Sequence, residues 1–269
     1  MAKHIVRNNI FVKKIAQYNF NIIRYCLGSN NNQRIFLNSI PKSGTHYLLA
    51  ELLKYNLNDY YGFISSTPSF TLKLQSNNNI YKRLKKALNN EVICGHIFYQ
   101  NEYIKLLESE NFCNFFLYRD PRAIFISEYN YLKNMNKYHL IHRKYLSKIS
   151  DRDLAFDLLF NGFEDTSNFY FPSFKKRISN YCKWINCKQN NLLCIKFEEF
   201  IQDKSSVQNK VLEHLFSNGF NVKIQSIPMK SHTFTNLDPD RWKYQLPKKW
   251  INLINKDLNE EIELMGYKI

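Results

Sequence analysis

Short, nearly uninterrupted apolar runs alternate along this chain with longer segments whose apolar positions recur every three or four residues. Four of the runs, Ile35–Ser39, Val92–Gly95, Phe112–Tyr118 and Leu192–Phe197, are rich in Ile, Leu, Val and Phe. Runs of this kind fit strands buried on both faces of a parallel sheet, because a half-exposed strand would alternate apolar with polar. Between them the helical period is legible. Leu48, Leu49, Leu52 and Leu53 form one stripe, and Val207, Val211, Leu212, Leu215 and Phe216 form another, closed by Gly219. Asp120-Pro121 predicts an N-cap followed by proline in the first turn. Pro247 predicts the start of a helix carrying Trp250, Ile251, Ile254, Leu258 and Ile262, which Gly266 ends. Strand and helix in alternation predict an α/β fold, a single domain over 34–269 with a central, mainly parallel sheet flanked by helices.

Two segments lie outside that rhythm. Residues 1–33 form a basic extension in which Arg7, Lys13, Lys14 and Arg24 interrupt apolar positions. It is too broken for a signal peptide or a membrane span, and residues 5–27 predict a helix packed on the domain or resting on a membrane surface. Residues 133–176 are basic and aromatic with little strand character, and predict a helical insertion able to cover a site. Asn-rich Ser76–Asn79 reads as a surface loop.

Composition adds a charge. The 269 residues carry 38 Lys and Arg against 23 Asp and Glu, a net +15, with 44% hydrophobic residues to build a core. The surplus favours polyanionic partners, although abundant Lys and Asn could come from nucleotide bias alone. No zinc finger, RNP-like run or basic-aromatic repeat supports a nucleic-acid binder. The six cysteines form no C-x-x-C pair and no Cys/His set has metal-ligand spacing, so a reduced, cytoplasmic protein without a metal is expected.

The chemistry concentrates at strand ends. In Asn38-Ser39-Ile40-Pro41-Lys42-Ser43-Gly44-Thr45-His46-Tyr47 a buried strand gives way to a Lys/Ser/Gly/Thr turn and then a helix. Backbone N–H groups at such a turn, with a helix N-terminus behind them, attract an anion. Lys42 adds positive charge, Gly44 permits close approach, and Ser43 and Thr45 add polar donors. It is not the G-x-x-x-x-G-K-[ST] loop, since the first glycine is missing and Lys42 precedes Gly44. A second strand, Phe115-Phe116-Leu117-Tyr118, delivers Arg119-Asp120-Pro121-Arg122 just before another helix, at the sheet edge where open α/β folds bind ligands.

Together these segments resemble the PAPS-dependent sulfotransferase family. Lys42 to Tyr47 is similar to its 5′-phosphosulfate loop, P-K-[ST]-G-T-[TS]-[WL], and Arg119 to Ser127 is similar to its 3′-phosphate motif. The resemblance spans about residues 34–200 and implies a P-loop-like nucleotide-binding fold. It implies 3′-phosphoadenosine 5′-phosphosulfate (PAPS) as co-substrate, held by Lys42, Ser43, Gly44, Thr45, His46, Tyr47, Arg119 and Ser127, with Tyr47 at the adenine. It also implies a His general base after a short strand, which matches His96 in Val92-Ile93-Cys94-Gly95-His96; Lys42 and His96 would be catalytic. His4, His139, His142 and His214 read as surface or packing residues, and His232 has no assigned role.

Some positions depart from the family. Phe197-Glu198-Glu199 stands for Tyr-Glu-Asp, so a phenol hydroxyl is lost. Asp240-Arg241-Trp242-Lys243 resembles the C-terminal G-x-W segment. Thr235-Asn236-Leu237 stands where Arg-Lys-Gly is usual, so that clamp on the 3′-phosphate is absent or supplied elsewhere. His46 replaces Thr or Ser, and Cys94 replaces a Lys of the cytosolic small-molecule branch. The expected acceptor is a hydroxyl or amine on a glycan, lipid or small molecule, an acidic glycan suiting the charge. Two other readings stay open: a P-loop-type kinase or NTPase, and a non-catalytic nucleotide-binding relative.

Overall fold

A computed structural model of the protein describes residues 33–165, 169–223 and 238–269. The expectations for residues 5–27, for the loop that follows them, for His232 and for Thr235–Leu237 lie outside the described residues.

Five parallel strands form the centre: β1 (Arg34–Ser39), β2 (Asn58–Ser65), β3 (Glu91–His96), β4 (Phe112–Tyr118) and β7 (Leu192–Lys196), in the order β2-β3-β1-β4-β7. A two-stranded antiparallel hairpin, β5 (Phe163–Asp165) with β6 (Phe169–Phe171), lies apart from it. The helices are α1 (Thr45–Leu52), α2 (Asn77–Leu84), α3 (Asn101–Ser109), α4 (Pro121–Asn130), α5 (Arg152–Asn161), α6 (Phe174–Cys182), α7 (Phe197–Gln202) and α8 (Lys204–Ser217). They continue with α9 (Trp242–Gln245), α10 (Lys248–Asp257) and α11 (Asn259–Leu264). Two π-helical turns, Tyr131–Met135 and His142–Leu146, follow α4.

Side chains alternate across a strand, and here both faces are covered. Ile35 and Leu37 of β1 join Val92, Cys94, Phe115 and Ile195 in one core layer, sealed by α1, α7 and α8. Phe36, Ile93, Phe112 and Phe116 point into the other layer, sealed by the helices from α2 to α6 and by α9 to α11. This double burial is why the strands read as continuous apolar runs.

Several expectations need correction. Ser76–Asn79 is no loop: Ser76 caps α2, its hydroxyl accepting from the Asn79 N–H, and Asn77–Asn79 begin the helix. The edge strand β2 was not anticipated: Asn58, Asp59 and Gly62 dilute its apolar pattern, and its pairing with β3 slips between Asp59 and Phe63. Phe197 opens α7 instead of closing β7. The segment 133–176 is not wholly helical, since β5 and β6 pair within it, with Phe163 opposite Phe171. The helix after Pro247 is two helices, parted at Leu258, where φ is −113° and ψ is 24°. Phe216 faces solvent, so the α8 stripe ends at Leu215. Asp120 does cap α4, accepting from the Arg122 N–H, with Pro121 in the first turn. Among the described residues, no helix is long and apolar enough to cross a membrane.

Candidate active site

The strand order brings three of the singled-out segments side by side. Parallel strands end at one edge, and β3, β1 and β4 are neighbours, so His96, the loop after Ser39 and Arg119 stand in a row along the carboxyl edge. The chain leaves β1 towards β2 on one side and β4 towards β7 on the other, which makes the β1/β4 crevice the topological switch point.

The loop Ile40–Gly44 is held from below. The Ile40 N–H bonds the Leu117 carbonyl at 3.1 Å and the Ser43 N–H bonds the Ile40 carbonyl at 3.1 Å. The Ser43 hydroxyl, fully buried, lies 2.6 Å from the Ile40 carbonyl and 3.0 Å from that of Leu117. Ser43 therefore shapes the turn with its side chain, and the polar donor expected of its hydroxyl is spent inside the protein. The Asn38 amide extends the β1–β3 ladder: its Nδ2 donates to the Ile97 carbonyl and its Oδ1 accepts from the Ile97 N–H, both at 3.0 Å.

Two loop residues are left-handed, Lys42 with φ 72° and Gly44 with φ 96°. A Cβ at Gly44 would also stand 2.5 and 2.6 Å from ring carbons of Phe197. Phe197 in turn lies under Arg119, whose guanidinium carbon is 4.6 Å from its ring centroid. Phe197 is thus a spacer between the two motifs. Gly44→Ala is expected to destabilise the fold by roughly 1–3 kcal/mol through the strained φ alone, and to weaken nucleotide binding by displacing Phe197. Denaturant unfolding checks the first effect, and parent-like stability would overturn it.

His96 is oriented by its neighbour strand. Its Nδ1 is 2.9 Å from the Ser39 carbonyl and 3.2 Å from the Ser39 hydroxyl. A carbonyl only accepts, so Nδ1 carries the hydrogen and Nε2 keeps its lone pair. Burial pulls the His96 pKa down to about 4, with the Ser39 hydrogen bond opposing and the His46 and Lys42 charges assisting. The imidazole is neutral at pH 7. The Ser39 hydroxyl also meets the Thr45 hydroxyl at 2.6 Å, linking His96 to the start of α1. Ser39 was missed in the sequence, where it is only one more small residue at a strand end. Phe63, on the unanticipated β2, meets the His46 ring edge-on and the His96 ring at a tilt, each at 5.2 Å between centroids.

Lys42 holds its ammonium 3.9 Å from the ring centroid of Tyr131, in the first of the two π-helical turns. Tyr47 packs edge-on against Phe200 at 4.7 Å, with the Lys204 ammonium 5.8 Å from its ring. Arg119 is largely buried, and among the described residues its Nε finds no hydrogen-bond partner. Burial lowers its pKa, while Glu198, Tyr267 and Asp120 oppose that and Arg241 adds to it. A buried donor without an acceptor is costly, so this one is suited to an acidic ligand. Ser127 lies in the second turn of α4, partly exposed, and its hydroxyl makes no hydrogen bond among the described residues.

Around Arg119 the chain is tied together. Arg122 grips Asp120 with Nε at 2.9 Å and Nη2 at 2.7 Å, donates to the Lys268 carbonyl at 2.8 Å, and lies 4.1 Å from the Trp242 ring centroid. Glu198 accepts from the Asp120 N–H at 3.2 Å and from the Tyr267 hydroxyl, and burial raises its pKa. Of the two arginines in the motif, Arg122 is therefore structural and Arg119 faces the crevice. Among the described residues no group of three or more His, Cys, Asp or Glu could hold a metal ion.

No family model matches the chain. No curated protein matches it either. Solved structures do. Mouse sulfotransferase SULT7A1, complexed with PAP, is similar over 90% of this chain and 91% of its own, at 17% identity and a TM-score of 0.57. Retinol dehydratase, in a complex with retinol and PAP, is similar over 92% of this chain and 86% of its own, at 10% identity and a TM-score of 0.54. With its central parallel sheet and its helical flanks, the chain has the sulfotransferase fold.

Proposed function

We propose that this protein transfers a sulfuryl group from PAPS to an acceptor hydroxyl or amine. What carries the reading is one juxtaposition. A neutral imidazole with an unprotonated Nε2, a lysine on an anion-seeking loop and an arginine whose buried Nε is unsatisfied among the described residues share one sheet edge.

In this reading the backbone of residues 42–45 and the Lys42 ammonium bind the 5′-phosphosulfate. Arg119 and Ser127 bind the 3′-phosphate, and Tyr47 and His46 line the nucleotide. The acceptor oxygen or nitrogen attacks sulfur in line with the bond to the 5′-phosphate oxygen. A new bond to sulfur forms as that sulfur–oxygen bond breaks, and its electron pair leaves with the phosphate. The acceptor proton passes to His96 Nε2. Lys42 stabilises charge growing on the departing oxygen, which in a water-poor site is the larger contribution. The Lys42 ammonium lies over the Tyr131 ring in the π-helical turn, and in this reading the segments 133–165 and 169–176 that follow cover the acceptor side.

A kinase would need a carboxylate for magnesium. Asp120, the carboxylate next to Arg119, has both oxygens bonded to Arg122 and caps α4, which does not favour that alternative.

Binding of PAP, the spent donor, measured by calorimetry beside ATP, tests the proposal. PAP is expected to bind more tightly than ATP, and Arg119→Ala to lose about 1.5–3 kcal/mol of PAP affinity, the range for a hydrogen bond to a charged group. ATP bound as well as PAP, with magnesium-dependent turnover, would overturn it in favour of a kinase.

A further inference from the structure

The positive charge of this chain is not spread evenly. Residues 60–90 and 129–150 carry ten Lys and Arg and no Asp or Glu. The fold brings these two segments together. The Leu140 N–H donates to the Ser69 carbonyl at 3.0 Å, and the Tyr170 N–H donates to the Leu72 carbonyl at 2.6 Å. The Lys144 ammonium lies 3.9 Å from the Phe169 ring centroid, and the Tyr145 ring lies 4.5 Å from that of Phe163. The loop 66–75, the stretch 131–148 and the β5–β6 hairpin therefore form one surface.

Two kinds of side chain share it. Lys73, Lys137, Arg143, Lys144 and Lys148 are exposed, and among the described residues none of them forms an ion pair. Residues 1–32, 166–168 and 224–237 contain no Asp or Glu, so those segments bring no counter-charge. The hairpin register sets Glu164 and Asp165 opposite Tyr170 and Phe169, two acidic residues against five exposed cations. Large apolar side chains stand among the cations: Met135 is 57% exposed, Tyr138 54%, Leu74 54% and Phe70 37%. A water-soluble polyanion would satisfy the lysines and leave these groups wet, at a hydrophobic cost. An anionic bilayer accommodates both, with apolar tips at the acyl boundary and ammonium groups on the phosphates.

We propose that this surface docks the protein on an anionic lipid bilayer, with Phe70, Leu74, Met135 and Tyr138 entering the headgroup boundary and the basic side chains around them resting on lipid phosphates. One π-helical turn joins the surface to the candidate active site: Tyr131 at its start lies against the Lys42 ammonium, and Met135 at its end is exposed. The surface does not depend on the nucleotide reading proposed above, and its test uses no nucleotide.

Flotation of the full chain with vesicles of phosphatidylcholine, alone or mixed with phosphatidylglycerol, tests the proposal. The parent is expected to float with the mixed vesicles, to bind neutral ones far less, and to be released as salt rises. The triple variant Lys73→Gln, Lys137→Gln, Arg143→Gln should bind the mixed vesicles roughly a hundredfold more weakly, at about fivefold per cation. The double variant Met135→Ser, Tyr138→Ser should lose about tenfold or more. All five side chains are exposed, so both variants should melt with the parent. A parent that does not float with the mixed vesicles overturns the proposal. Parent-like binding by both variants overturns it as well, and assigns the binding to basic residues elsewhere in the chain. Loss in the charge variant alone, with the apolar variant unchanged, overturns it in favour of a surface for a soluble polyanion.

Discussion

Replacing His96 with alanine is expected to lower turnover by roughly 10²–10⁴-fold, the usual worth of a positioned general base, while PAP binds as before. The separation follows from the hydrogen bonds. The imidazole spends Nδ1 on the Ser39 carbonyl, and the loop is pinned without it, through Ser43 on Ile40 and Leu117 and through the Ser39–Thr45 hydroxyl pair. The pH profile gives a second readout. With the His96 pKa pulled down to about 4, chiefly by burial, the base is unprotonated above that pH and is lost only as pH falls through it. The value of kcat/KM for the donor, which reports the free enzyme, should stay level across the ordinary histidine range near pH 6.5. Parent-like turnover in the alanine variant would remove His96 from the mechanism. An activity limb near 6.5 would show that the base ionises in a more open environment.

The second large effect is expected at Lys42. Its ammonium, 3.9 Å from the Tyr131 ring centroid, is the positive side chain of the loop that would meet the leaving phosphate. Removing one preorganised stabiliser of transition-state charge typically costs about 10²–10³ in kcat, and Lys42→Ala should fall in that range. The backbone makes a companion variant informative. Lys42 sits at φ 72°, where a residue with a Cβ is strained and glycine is not. Lys42→Gly should therefore be as inactive as the alanine variant yet no less stable than the parent in thermal unfolding. Activity within tenfold of the parent in either variant would assign the charge stabilisation elsewhere. A marked loss of stability in the glycine variant would mean that Lys42 holds the loop through contacts outweighing its strained backbone.

How much of this was legible in the sequence depends on how local each cause is. Strands β1, β3, β4 and β7 are covered on both faces, and that is written into consecutive apolar residues such as Ile35-Phe36-Leu37. The cap at Asp120 and the proline after it are adjacent, so they were readable too. By contrast, β2 is an edge strand with polar residues and a register slip, and β5 and β6 have three residues each, too few to show a period. In the site, the residues with unusual local company were found: Lys42 and Gly44 on a turn, His96 and Arg119 at strand ends. The contacts that support them were not. Ser39 matters because β1 and β3 pair in parallel and bring it to His96, 57 positions away. Glu198 meets Tyr267 across 69 positions, and Phe197 wedges between Gly44 and Arg119 only once the sheet has formed. Partners chosen by tertiary contact leave no mark in a run of neighbouring residues.

The ties from Arg122 to the Lys268 carbonyl, from Glu198 to Tyr267 and from Lys196 to the Gly266 carbonyl have a consequence for biosynthesis. The wall behind Arg119 is built from residues 266–268, whereas the loop it faces is made within the first fifty. During translation the sheet edge from β2 to β4 can assemble early, but its anion crevice stays without a back until position 268 has cleared the ribosome. A nascent chain stalled before that point should fail to retain nucleotide even where its strands have already paired.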